Sequence, residues 1–358
     1  GVSLSHPDST AVAEQLTPPG LTTPDAADVA ELLAILAGKG ITHLALEASS
    51  HGVDQRRLDG VRLAAAGFLN FTQDHLDYHG TMGAYRAAKL RLFETLLPRG
   101  STAVLNADSD AFPAFVAAAV RSGHTLMSVG AMGQGLTLVD RALTPEGQRL
   151  RISAWGTIYD VRLPLAGAFQ ASNALVAAGL CIAAGEKPAA VLEALEGVQG
   201  APGRLQRVGK GSRGGEAYVD YAHTPDGLET VLLALRPHAK GRLIVVFGAG
   251  GDRDRTKRPQ MGAIAASLAD VAIVTDDNPR SEDPAAIRAE IRAGAPALKE
   301  IGDRREAIAA GASMLEEGDV LVVAGKGHEQ GQLVAGVTHP FDDVVETRKA
   351  LGLEGADD

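Results

Sequence analysis

Polar residues gather in short clusters behind apolar runs along this chain, and three clusters in its first third carry groups that could do chemistry. Glu47-Ala-Ser-Ser-His-Gly52 sets a carboxylate, two hydroxyls and an imidazole side by side, a donor set suited to hard cations and phosphate; a serine-type turn is the alternative. Asn70 to Gly80 holds Asp74, His75, Asp77 and His79. Those ligand types suit Zn, Mn or Mg, yet His75 and His79 lack the intervening Glu of a zinc-protease helix, and a solvated polar loop is the other reading. Lys89, in Tyr85-Arg-Ala-Ala-Lys-Leu-Arg-Leu-Phe93, is by composition an ordinary exposed helix lysine, unless burial changes its chemistry.

The rest of the chain adds further clusters. Asn173, early in an apolar helical run, reads as a cap or a ligand. Gly203-Arg204 is followed by Val219-Asp-Tyr-Ala-His-Thr-Pro225, which puts Asp220 and His223 at a strand end, with a helix N-terminal carboxylate as the alternative for Asp220. Gly248-Ala-Gly-Gly-Asp-Arg-Asp-Arg255 lacks the Gly-x-Gly-x-x-Gly order of a dinucleotide loop, and Arg253 reads better as an anion clamp. Asp276-Asp-Asn-Pro-Arg280 places a guanidinium beside an amide, suited to bidentate engagement of a carboxylate. In Ala324-Gly-Lys-Gly-His-Glu329, Glu329 suits an ammonium, although a tight turn alone would explain the glycines.

The elements that must position these groups follow from periodicity. Val29, Leu32, Leu33 and Leu36 mark one face of a helix over 25–37, stopped by Gly38 and Gly40. Short apolar runs predict strands at 42–47, 64–71, 102–106 and 125–129, with helices at 82–97 and 109–122 between them, the βαβ signature of a mostly parallel sheet. Residues 136–165 read as antiparallel strands and 168–184 as a long buried helix. Gly197-Val-Gln-Gly-Ala-Pro-Gly203 is the best linker. Beyond it, strands at 216–220, 242–247, 271–275, 297–301 and 320–323 alternate with helices in a second doubly wound pattern. Gly1 to Asp25 reads as irregular extension.

Taken together, Thr22-Thr23-Pro24, Glu47-Ala-Ser-Ser-His51, Thr72-Gln-Asp-His-Leu-Asp-Tyr-His-Gly80, Tyr85-x-x-Ala-Lys89 and Asp277-Asn-Pro-Arg280 resemble the Mur ligase family, ATP-dependent amide-bond-forming enzymes of peptidoglycan precursor synthesis. The match is to the branch that adds the third residue of the stem peptide, and departs from it at Leu21, Ala48 and Gln73. The resemblance implies an α/β fold: a partial P-loop-type central domain with a mostly parallel sheet (1–201) and a Rossmann-like C-terminal domain binding the incoming amino acid (202–358). It implies Mg2+ on Glu47, His75 and a carbamylated Lys89, and the UDP-muramoyl dipeptide on Thr22, Thr23, Ser49, Gln55 and Arg57. ATP is expected at Asn173, Arg204, Asp220 and His223. The incoming meso-diaminopimelate is expected at Arg253, Asp277, Asn278, Pro279, Arg280, Gly325 and Glu329, where the Asp-Asn-Pro-Arg motif marks diaminopimelate rather than lysine.

Composition bounds this reading. The 358 residues carry 34 Lys+Arg against 44 Asp+Glu, a net charge of −10, which argues against a general nucleic-acid or membrane coat. A single cysteine, Cys181, excludes a disulfide framework, and no apolar run reaches a membrane span; a cytoplasmic monomer is the expectation. Residue 1 is Gly and no Gly-x-x-x-x-Gly-Lys-Ser/Thr loop occurs, so the chain is expected to lack the family's uridine-binding domain and the start of its central domain. Two rival readings are a folylpolyglutamate-synthetase-like ligase and an inactive fragment that only binds.

Overall fold

The computed structural model describes residues 2–3, 21–72, 74–144 and 147–353. Gln73 and most of the N-terminal extension lie outside the described residues. The chain divides into two compact units, one of Gly1–Arg141, Leu150–Val161 and Ser172–Leu195, the other of Ala142–Arg149, Arg162–Ala171 and Glu196–Asp358. The expected α/β class with mostly parallel sheets holds in both.

In the first unit the helix Ala26–Gly38 buries Val29, Leu32 and Leu36, the face its periodicity marks. A six-stranded sheet runs β3-β4-β5-β6-β7-β8, where β3 is Ala65–Phe68, β4 Thr102–Asn106, β5 Thr125–Gly130, β6 Leu136–Thr144, β7 Gly147–Ala154 and β8 Thr157–Leu163. The first three are parallel, in register at Ala66↔Ala103 and Val104↔Met127. One sheet face packs Phe68 and Leu105 against Phe115 and Ala118 of the helix Phe112–Arg121, with the Phe68 and Phe115 rings stacked at 3.6 Å. On the other face lies the helix Ala168–Ala183, where a Cβ on Gly179 would come within 2.6 Å of Val104 Cγ1. Only glycine lets the helix backbone lie that close to β4.

The strand expected at 42–47 is corrected. Its regular part is Ala45–Leu46 (β2), which pairs antiparallel with Val2–Ser3 (β1) in a separate two-stranded sheet, and Glu47 is exposed rather than set behind a buried strand. The helix expected at 82–97 changes character midway: Met82–Arg91 is α-helical and Leu92–Leu96 widens into a π turn.

In the second unit the sheet order is β13-β12-β11-β14-β10-β9, with β9 Gln206–Lys210, β10 Glu216–Asp220, β11 Leu243–Phe247, β12 Val271–Val274, β13 Lys299–Glu300 and β14 Val320–Ala324. Strands β10 to β14 are parallel, and β9 is an antiparallel edge that sequence reading missed. Alternate residues face opposite layers: Val245, Phe247, Val322 and Ala324 pack into one apolar cluster, and Ile244, Val246, Leu321 and Val323 into another. That two-sided burial is why these strands read as unbroken apolar runs. The chain passes from β10 over to β11, works outward to β13, and returns with β14 between β10 and β11. The crevice at such a switch point, beyond the strands' carboxyl ends, is where open α/β sheets bind ligands.

Candidate functional site

Around the short helix Ser50–Asp54 the expected substrate residues form one network. Ser49 caps the helix, its Oγ accepting from Gly52 N at 3.1 Å. Thr23 is fully buried; its hydroxyl donates to Glu47 O at 2.8 Å, lies 2.9 Å from Ser49 Oγ and accepts from Ser49 N at 3.0 Å. Arg57 donates to Thr23 O at 2.7 Å and to Gln55 Oε1, and pairs with Asp25. Gln55 in turn donates to Tyr78 OH, which donates to Asp54. Thr23, Ser49, Gln55 and Arg57 are thus brought together, with Thr22 exposed beside them.

A second group is an aromatic cluster that reaches Lys89 through Tyr85. The rings of His51, His75, Tyr78, His79 and Tyr85 pack edge-to-face or tilted, with His51 and His75 at 4.9 Å. His75 takes a left-handed backbone (φ 54°) with its N–H donating to Asp74 Oδ1 at 2.8 Å. Lys89 Nζ lies 5.1 Å from the Tyr85 ring centroid. Burial pushes the Lys89 ammonium below its ordinary pKa, opposed by the charges of Asp74 and Glu47, and burial pushes the Tyr85 phenol up to about 12. Among the described residues, no three His, Cys, Asp or Glu side chains converge as a ready-made metal site. The expected Mg2+ set supplies two such ligands, Glu47 and His75, and takes its third from Lys89. The chemistry fits: a carbamate on Lys89 replaces a cation facing two carboxylates with an anion, and three anions together call for a divalent cation.

In the second unit the carboxyl ends of β10, β11, β12 and β14 gather the remaining motifs. Asp220 is buried, and its oxygens accept from Leu205 N at 2.6 Å and Ala222 N at 2.7 Å. Burial raises its pKa against those two hydrogen bonds and the charges of Arg204 and His223. It does not cap the following helix, Pro225–Leu235, whose N-cap is Thr224. The Arg204 guanidinium lies 4.7 Å from the Tyr221 ring, and His223 sits 2.8 Å from Tyr221 O. Asn173 lies half-buried past the first turn of the helix Ala168–Ala183 in the first unit, which excludes the capping role.

Asp277 and Asn278 are buried, and Asn278 Nδ2 donates to Glu329 Oε2 at 2.8 Å. Asp277 Oδ2 is buried without a partner and faces Gly325, where a Cβ would lie 2.3 Å from it. Arg280, after Pro279, adopts φ 55°, donates to Gly251 O at 2.6 Å and is held by backbone hydrogen bonds to Leu333 and Ala335. Asp277 to Arg280, Gly325 and Glu329 therefore share one edge. Arg253 is exposed, with its guanidinium donating to the adjacent Asp252 O.

Sequence reading missed the buried cations behind this edge. Lys326 is fully buried and donates to Asn278 Oδ1 at 2.9 Å and Glu329 Oε2 at 3.2 Å. Arg304 is paired with a fully buried Asp343 and donates to Ala324 O at 3.0 Å. Arg258 joins Glu282, Glu290 and Gly250 O. Lys326 stands inside a quoted motif whose reading rests on Glu329 and the glycines; Arg258 and Arg304 stand among other charged residues, so nothing in the sequence singles out which guanidinium is buried.

Two mostly parallel sheets and these strand-end clusters define an α/β protein, and the family models place it among ATP-dependent amide-bond-forming ligases. The Mur ligase middle-domain model matches residues 6–181 and the Mur ligase glutamate-ligase-domain model residues 203–327, and the chain belongs to the Mur ligase family. A UDP-N-acetylmuramoyl-L-alanyl-D-glutamate--2,6-diaminopimelate ligase of Caulobacter vibrioides is 71% identical over 100% of this chain and 73% of its own length. The same-named protein of Rhizobium meliloti is 55% identical over 93% of this chain and 68% of its own. A solved structure of such a ligase superposes with TM-score 0.66 at 36% identity, over 96% of this chain and 75% of that one. Folylpolyglutamate synthase of Mycobacterium tuberculosis, at TM-score 0.62 and 22% identity over 75% of this chain and 62% of that one, shares the fold.

Proposed function

We propose that the chain catalyses ATP-dependent addition of meso-diaminopimelate to UDP-N-acetylmuramoyl-L-Ala-D-Glu, in the cytoplasm and as a monomer, with residues 1–201 as central domain and 202–358 as the domain for the incoming amino acid. The γ-phosphoryl group of ATP passes to the D-Glu γ-carboxylate, giving ADP and an acyl phosphate. The diaminopimelate amine then attacks the acyl carbon, loses its proton, and phosphate leaves with the electron pair of the broken C–O bond. Thr22, Thr23, Ser49, Gln55 and Arg57 orient the UDP-muramoyl dipeptide, holding its acceptor carboxylate in place. Asn173, Arg204, Asp220 and His223 serve the nucleotide. Glu47, His75 and carbamylated Lys89 would hold Mg2+, which when bound neutralises phosphoryl oxygens.

The observation that carries the substrate reading is the shared edge of Asp277 to Arg280 with Gly325 and Glu329. A buried carboxylate with one oxygen unpartnered, a guanidinium and a half-exposed glutamate suit a ligand end bearing both an ammonium and a carboxylate. Lysine offers the ammonium alone. Competition between meso-diaminopimelate and L-lysine, scored by product formation, tests it. Arg280→Ala is expected to lower the preference for diaminopimelate by about tenfold or more, and an unchanged preference would show that Arg280 is not the clamp.

A further inference from the structure

Lys326 follows β14 in the turn of the Gly325-Lys-Gly-His-Glu329 segment. Its side chain has no solvent exposure, whereas that of Glu329 is 35% exposed. A fully buried ammonium is costly unless its hydrogen bonds are met, so what Lys326 holds is informative. Its Nζ lies 2.9 Å from Asn278 Oδ1 and 3.2 Å from Glu329 Oε2. The same Asn278 Oδ1 accepts from Leu333 N at 3.0 Å. With two donors on the amide oxygen the Asn278 side chain has one orientation, and its Nδ2 must point at Glu329 Oε2, as it does at 2.8 Å. One oxygen of Glu329 is thereby taken twice; among the described residues no donor reaches the other.

The charges complete the picture. Asp277 presents a buried oxygen without a partner, Arg280 a guanidinium held on Gly251 O, and Glu329 a carboxylate already balanced by Lys326. Without Lys326, two carboxylates would face one arginine, a setting that favours a bare ammonium. With it, a lone ammonium gains less from Glu329 and leaves Arg280 without an anion. A ligand end carrying both charges satisfies both.

We propose that Lys326 is a specificity-determining positioning residue: it fixes the Asn278 amide and half-neutralises Glu329, so that this edge selects a zwitterionic side-chain terminus over a simple ammonium. The proposal rests on the reading of this edge as the diaminopimelate site. The test is calorimetric titration of the chain with meso-diaminopimelate and with L-lysine, for wild type, Lys326→Met and Lys326→Arg. Lys326→Met is expected to weaken diaminopimelate binding by about tenfold or more while lysine binding holds or tightens, so the ratio of affinities collapses; Lys326→Arg restores part of it. A ratio unchanged in Lys326→Met, including equal loss of both ligands, overturns the role of Lys326. No preference for diaminopimelate in the wild type overturns the site reading itself, and the proposal with it.

Where circular dichroism shows Lys326→Met unfolded, the wild type carries the test. A buried ammonium exchanges slowly enough for its 1H–15N signal to be followed, and loss of that signal in Lys326→Arg assigns it. The signal is expected to shift with meso-diaminopimelate and to stay in place with the same concentration of L-lysine. A signal indifferent to saturating diaminopimelate overturns the proposal.

Discussion

An amine becomes a nucleophile toward CO2 only when it has lost its proton. Lys89 is poised for that, because burial lowers its pKa while Asp74 and Glu47 hold it back. At a fixed concentration of dissolved CO2, the carbamate population should rise with pH through that lowered pKa, at lower pH than for a free lysine. The expected outcome is a 13C carbamate resonance when the protein is equilibrated with 13CO2, absent from Lys89→Met. Turnover in Lys89→Ala should fall by about a hundredfold or more, the scale of losing an electrostatic partner of a phosphoryl transfer. A carbamate signal that survives Lys89→Met, or full activity in Lys89→Ala, would remove the lysine from the mechanism. The motif around Lys89 was legible in sequence, with Tyr85 one turn away on the same helix, but the property that gives it chemistry was not: its half-burial and the charges of Glu47 and Asp74 beside it come from segments outside that helix.

Strands β11 and β14 were readable as apolar runs because both of their faces are covered, and the helix Ala26–Gly38 because a single face is. The run Thr42-His-Leu-Ala-Leu-Glu47 is apolar only in its middle and forms just Ala45–Leu46, paired with Val2–Ser3; a short apolar stretch does not tell which neighbour a strand will find. The edge strand Gln206–Lys210 carries Gln, Arg and Lys around a single buried Val208, too little to read as an apolar run. Glycines offer a test at this scale, since the fit of helix Ala168–Ala183 against β4 depends on one missing side chain. Gly179→Val should push Val104 and the helix apart and cost about 1–3 kcal/mol, the usual penalty of overpacking, seen as a lower urea midpoint. Gly38→Ala is the contrast: it ends a helix, nothing lies within 4 Å of the added Cβ, and a gain of about 0.4–1 kcal/mol is expected. Equal effects at the two positions would mean that the close approach at Gly179 does not govern the packing.

Over the whole molecule, the −10 charge coexists with carboxylates that are tied to arginines, and this sets how the fold responds to acid. Arg258 and the Asp252 backbone N–H hold Glu282 down to about 2, while Arg207, Arg242 and Arg305 lower Glu216, Asp319 and Glu346 against their burial. A carboxylate with a depressed folded pKa contributes stability above its unfolded pKa, and that contribution is lost as pH falls through the folded value. Asp220 and Asp276 run the other way: burial raises them, so they cost stability when ionised and shed that cost on protonation at mildly acidic pH. The depressed groups outnumber these two, so the urea midpoint should fall from about pH 4.5 down to about pH 2, with little change between pH 6 and 8 from these groups. Arg258 is fully buried between the partly exposed Glu282 and Glu290 and on Gly250 O, so Arg258→Met should cost about 1–3 kcal/mol at neutral pH by removing its charged hydrogen bonds. The same variant should flatten the acid limb, because Glu282 then titrates nearer its unfolded value. An Arg258→Met protein that is destabilised yet keeps the wild-type slope between pH 4.5 and 2 would place the acid sensitivity elsewhere.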